Sequence, residues 1–336
     1  KIQANGQVYL VNPNGILFSK TAQVDVGGLI ASTHDINNSD FMTGKNHFTQ
    51  SRQGTKVENQ GTINTTNGGV VALIGEQVSN SGAINTPKGT TALAAGKTVD
   101  LDMKGDGLVE VKVSEAALNA QIHNQGAITA DGGRVILSAK SANALMDTVI
   151  NQEGIVKARG LAERNGEIIL EGSFVSQTGS LDTSGQTGGI VNINARAILD
   201  AGKTNADGSV GNGGTITMKA SDAIIQTAAA DTHANGTIQG GSIHLAASNS
   251  VFSSGSLSAT GNQGGTVDVF SNNRVVLAAA TVNASGTEQG GSIRIGGDFH
   301  GENTNVPNAK TTIVNGATKI KADGGKGKVV VWSDEK

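Results

Sequence analysis

The side chains able to do chemistry are few and scattered. Cysteine is absent, so the chain has neither thiolate chemistry nor a disulfide framework. Six histidines, His34, His47, His123, His233, His244 and His300, stand apart, and no two have metal-ligand spacing on one element. They read as surface histidines. Asp182, Asp222 and Asp268 are the acids to weigh for Ca²⁺ binding or acid/base work on a polysaccharide. Such work needs carboxylates gathered across neighbouring elements. No nucleophile elbow precedes an Asp and a His in a hydrolase order. The densest polar signature is Asn12-Pro13-Asn14-Gly15, set between two alternating apolar runs. Pro presets φ at the second place of a turn, Asn tolerates the third, and Gly closes it. The four residues therefore predict a tight corner. They are not a phosphate loop, which needs another Gly spacing, a Lys and a following helix.

Whether scattered groups can meet depends on the elements that carry them. One segment recurs along the chain, as in GGVVALIG (68–75), GGRVILSA (132–139), GGSIHLAA (240–247) and GGSIRIGG (290–297). The last glycine before each apolar run is Gly69, Gly89, Gly133, Gly166, Gly189, Gly214, Gly241, Gly265, Gly291 or Gly327. Most steps between them lie near 24 residues, and the 44-residue step reads as two units of 22. Each copy alternates with period 2, which predicts a strand. The inward places run branched, large, small, as in Val71/Leu73/Gly75 and Val135/Leu137/Ala139. A second motif, such as GTINT (61–65) or GSLDT (179–183), precedes most copies. A weaker apolar place lies between them, at Val78, Val149, Val175, Val251, Val275 and Ile313.

Three short strands per unit of roughly 24 residues predict an all-β fold: a right-handed, single-stranded parallel β-helix. Coils rise about 4.8 Å each, and about thirteen of them would make a monomeric rod. Asp182, Asp222 and Asp268 fall at different phases of the unit, so they should not converge. A carbohydrate-active β-helix enzyme also wants aromatic platforms, and aromatics are 3% of the chain. The expectation is therefore no enzyme, no metal and no cofactor. Net charge is −3 with dispersed Lys and Arg, which argues against a nucleic-acid groove. Asn59, Asn80, Asn124 and Asn151 recur at one phase of the unit. Stacked, they would form an amide ladder between coils; alternatively, Asn simply suits a turn. Residues 33–58 and 97–117 break the rhythm. The second reads as a hairpin, and both should lie on the side of the helix, as should an exposed loop over 297–310. Residues 143–150 fit one helical turn or a third strand.

Residues 4–33, ANGQVYLVNPNGILFSKTAQVDVGGLIAST, resemble the haemagglutination-activity region of two-partner secretion exoproteins, the filamentous haemagglutinin-like family. Residues 105–156 resemble the part that follows. The resemblance implies that 1–156 is most of a secretion domain, begun mid-pattern without its N-terminal cap, and that 157–336 is β-helical shaft. It implies export through the periplasm, recognition by the periplasmic domains of a partner outer-membrane β-barrel transporter, and display at the bacterial cell surface or release. It ties Asn12, Pro13, Asn14 and Gly15 to secretion and partner recognition. The shaft would meet a receptor on a host or neighbouring cell, as an adhesin, as the stalk of a contact-dependent growth-inhibition toxin, or in haem acquisition.

Overall fold

A computed structural model describes the chain except residues 104–107, 143–148 and 162–163. The Gly-Asp-Gly turn expected at 105–107 and most of 143–150 lie outside the described residues. The chain divides into two compact units, one of 1–158 with 168–175 and one of 159–167 with 176–336. Both are built of parallel strands, each paired with its equivalent one coil away.

In the first unit, Thr90–Ala95 lies between Val70–Gly75 and Arg134–Ala139. Leu93 faces Leu73 on one side and Leu137 on the other, and Thr91 sits between Val71 and Val135. All of these inward side chains are fully buried. In the second unit, Thr215–Gln226 lies between Ile190–Asp200 and the pair Ser242–Ala247 and Ser250–Ser253. Met218 there stacks between Ile193 and Leu245, all buried. Hydrogen bonds run from coil to coil, so within each unit side chains of like size pile into a narrow aliphatic core. Burying each is worth about 1.5–3 kcal/mol.

The reference glycines also stack, for a reason the spacing alone did not give. A Cβ on Gly89 would lie 1.9 Å from the carbonyl oxygen of Gly69, and one on Gly214 would lie 2.1 Å from that of Gly189. Backbone touches backbone at this corner, which only glycine permits. The same stacking corrects the coil count. Gly133 sits directly on Gly89, so the 44-residue step is one coil carrying an insertion, not two coils.

That insertion forms an antiparallel hairpin, Thr98–Asp102 with Glu110–Glu115. It does not stand alone. Thr98–Asp102 also pairs with Asn46–Thr49, which pairs with Asp35–Ile36. The two irregular stretches thus join in one four-stranded sheet. Between Asp35–Ile36 and Asn46–Thr49 runs a short helix, Asn38–Met42, capped by Asn37. The sheet covers the outer face of the neighbouring coil strands. Ile30, Val70, Ala72, Ile74, Ala92 and Ala94 pack against Phe48, Val99, Leu101 and Val109 in a second hydrophobic core outside the helix.

The amide ladder is present, with one change of member. Asn59 Nδ2 donates to Asn80 Oδ1 at 2.8 Å, and Asn80 Nδ2 to Asn124 Oδ1 at 2.8 Å. The next rung is Gln152, whose Oε1 accepts from Asn124 Nδ2 at 2.7 Å. Asn151 is not a rung: it pairs with His123 in register and is only half-buried. The stack aligns Ile150 rather than Val149 with Ile122, which puts Gln152 rather than Asn151 at the place of Asn124. Rungs stand two residues before the corner glycine, which is where Gln152 stands before Gly154. In the second unit the corresponding place holds Gln177, Asp200, Gln226 and Ser253, all fully buried. Ile313 is a further register change. It pairs with Val276 and is exposed, while Thr312 takes the place facing Val275.

Candidate functional site

The Asn12–Gly15 corner joins two strands of one coil, Ile2–Val11 and Ile16–Phe18. Gly15 N–H donates to Asn12 O at 3.1 Å, closing the turn, and Asn14 N–H donates to Asn12 Oδ1 at 3.0 Å. Asn12 N–H donates to Ser32 O at 2.9 Å, which fastens the corner to the next coil. Gly15 has φ +121°, the region that favours glycine. The expected corner is therefore formed as the residue types dictate, and Asn12 and Asn14 are left exposed.

Three neighbours extend it. Leu17, one place beyond Ile16, is 62% exposed. Arg52 Nη1 donates to Asn14 Oδ1. Arg52 also lines a surface cavity of about 300 Å³ with Gln50, Gln53, Lys97 and Leu118. The loop that carries Arg52 is held by a buried carboxylate, Glu76, which accepts from Gln50 Nε2 at 2.7 Å and from Gly54 N at 2.6 Å. Sequence reading missed Arg52 and Glu76. Their partners lie 38 and 22–26 residues away across the inserted segment, and no local pattern marks that pairing.

The other candidate groups do not gather. Asp182 accepts from Ser184 N at 3.0 Å, Asp222 pairs with Arg196 at 3.2 Å, and Asp268 takes Arg294 through two bonds of 2.8 Å. Among the described residues, no group of three or more His, Asp or Glu is placed to hold a metal. Five histidines are at least partly exposed. His47 Nδ1 lies 2.5 Å from Asp100 and His233 Nδ1 2.9 Å from Asp207, whose hydrogen bond raises the His233 pKa. His34 departs from the expected surface setting. It is fully buried with both ring nitrogens unbonded, and burial lowers its pKa to about 4 against the pull of Glu76.

Comparison with known proteins gives this geometry a setting. The model of the TPS secretion domain matches residues 1–193, more than half of the chain. A heme/hemopexin-binding protein of Haemophilus influenzae is 30% identical over 207 residues, covering 55% of this chain and 22% of that protein. Its counterpart from another strain is 30% identical over 214 residues, covering 56% and 21%. The chain thus spans about a fifth of the length of the curated relatives it matches. The crystal structure of the HMW1 secretion domain from Haemophilus influenzae aligns over 97% of this chain and 80% of that one, with a TM-score of 0.66 and 21% identity, a likeness of fold. A coil-stacked parallel β-helix, an intact Asn-Pro-Asn-Gly corner and the family match agree: the chain belongs to the TPS secretion domain family, the part of two-partner secretion exoproteins that a partner outer-membrane transporter recognises for export through the periplasm and outer membrane.

Proposed function

We propose that the Asn12–Gly15 corner, Leu17 and Arg52 form the surface that the partner transporter reads, and that residues 157–336 are a non-enzymatic shaft of an adhesin-like exoprotein. The observation that carries the reading is the double role of Arg52. It bonds the corner through Asn14 and lines the neighbouring cavity, so the polar turn and the recess are joined, with exposed Leu17 two places beyond Gly15 in the chain. Exposed polar turns and aliphatics contribute little to stability, so their types are free to serve recognition.

The test is export of the full-length exoprotein with its transporter. Asn14→Ala and Leu17→Ser should each lower the secreted fraction about tenfold, while shifting the stability of the purified chain by less than about 0.5 kcal/mol. Normal secretion of both variants would remove the assignment. A second reading, a part in haem acquisition, is supported by the similarity to heme/hemopexin-binding proteins. Binding of the full-length exoprotein to hemopexin, measured by co-precipitation, separates it from adhesion alone.

A further inference from the structure

The sequence holds nine Phe, Trp and Tyr residues in all. In the second unit, two of them meet a histidine on an inserted loop. Phe299 and His300 stack with ring centroids 4.0 Å apart and planes 17° apart, and Trp332 lies against His300 at 5.8 Å. Phe299 is 59% exposed. His300 is exposed as well and Trp332 is half-buried; exposed ring faces give the fold little, since they are not withdrawn from water.

The loop is nevertheless built to hold them. Asp298 accepts from Phe299 N at 2.8 Å, from Asn303 Nδ2 at 3.0 Å and from Arg294 Nη1 at 3.1 Å. Arg294 is itself fixed by Asp268, and these bonds hold the Asp298 pKa down at about 2. Asn308 Nδ2 donates to Gly301 O at 3.0 Å. A Cβ on Gly297 would fall 2.9 Å from the Trp332 ring, and one on Gly301 would fall 2.9 Å from Trp332 Nε1, so both glycines make room for the indole. His300 takes φ +57°, a left-handed conformation that non-glycine residues rarely adopt. Strain of this kind, in a braced loop presenting open rings, is the mark of a preorganised binding surface.

We propose that Phe299, His300 and Trp332 form a platform for neutral carbohydrate, on which the apolar face of a pyranose ring stacks. The charged groups against the rings are acidic: Glu302 lies 3.9 Å from His300, and Asp334 accepts from Trp332 Nε1 at 3.0 Å. Carboxylates accept bonds from sugar hydroxyls and repel phosphate, sulfate and sialic acid. The platform does not depend on the export reading, because the purified chain needs no transporter to bind.

Trp332 is the sole tryptophan, so its emission reports the site directly. The purified 336-residue chain is applied to an array of neutral and anionic oligosaccharides, and hits are titrated by Trp332 fluorescence. Neutral glycans should bind and shift the emission. Phe299→Ala should weaken binding about tenfold, with the melting temperature unchanged. His300→Gly should weaken binding as well, while leaving the melting temperature equal or higher because the strained φ is relieved. No neutral hit, affinity retained in Phe299→Ala, or binding confined to anionic glycans would overturn the proposal.

Discussion

The two units share an interior and differ outside it. Val70–Gly75 and Thr90–Ala95 in the first unit are buried along their whole length, because an added sheet covers their outer face. Ser242–Ala247 in the second unit alternates, with Ile243, Leu245 and Ala247 buried and the residues between them partly open. The corner ladders differ too. In the first unit every rung is an amide, Asn59, Asn80, Asn124 and Gln152, so each can donate to one neighbour and accept from another. In the second unit the rung Asp200 is a carboxyl, and Gln177 Oε1 has no partner. The inner column is therefore what makes a coil, and the outer faces and corners are where one region diverges from another.

Four substitutions test that division, from the largest effect down. Leu245→Asp places a charge in the narrow core and should unfold the second unit, at a cost of several kcal/mol or more; circular dichroism and native-state hydrogen exchange over 215–295 read it. Phe48→Ala should cost about 3–5 kcal/mol and open the added sheet while amide protection in Thr90–Ala95 persists. If both sheets melt together, the outer core is not a separate layer. Asn80→Ala leaves a donor on Asn59 and an acceptor on Asn124 unbonded, and should cost about 2–4 kcal/mol in urea unfolding.

Asp200→Asn should act in the opposite direction. Burial raises the Asp200 pKa to about 6 from 3.8, even though Gln226 and Gly202 donate to it. The folded state therefore binds the proton more tightly than the unfolded state. Stability from this site is greatest at low pH and declines as pH rises from about 3.8 to about 6. Replacing the carboxyl with an amide should add about 1–3 kcal/mol at neutral pH and flatten that decline. His34 has the other sign. Its folded pKa is near 4, below the usual 6.5, so its share of stability is lost as pH falls through that window. Acidification should thus weaken the first unit while the Asp200 site strengthens, which hydrogen exchange at pH 7 and pH 5 separates.

Much of this was legible from the chain alone, for physical reasons. Alternation with period 2 and a recurring glycine are strong local signals, and the inward places Val71, Val135, Val191, Ile243 and Leu245 are all fully buried. The Asn-Pro-Asn-Gly turn is also local, and it is closed by the bond its residue types foretell. What failed is what depends on register or distant pairing. Asn151 and Ile313 each stand one place from the stacked position, which Gln152 and Thr312 hold, and a one-residue shift of register moves a side chain to the other face. Thr204 and Thr232 occupy inward places stacked between Leu181 and Leu257, and their hydroxyls hid those strands from an aliphatic pattern. The added sheet joins residues some fifty positions apart, as His47 and Asp100 show, and no periodicity announces such a partner.

The stacked glycines carry a consequence for how such a molecule lengthens. Because Gly214 and Gly241 each accept the preceding backbone at van der Waals distance, a newly copied coil fits onto an old one only if its own glycine falls at the same corner. Duplication in whole coils preserves that match, while added residues emerge between the stacked elements, as the hairpin after Ala95 and the loop after Ile295 do. The column is in effect a ruler, and it sets both the increment by which the fiber can grow and the places from which new surface can bud.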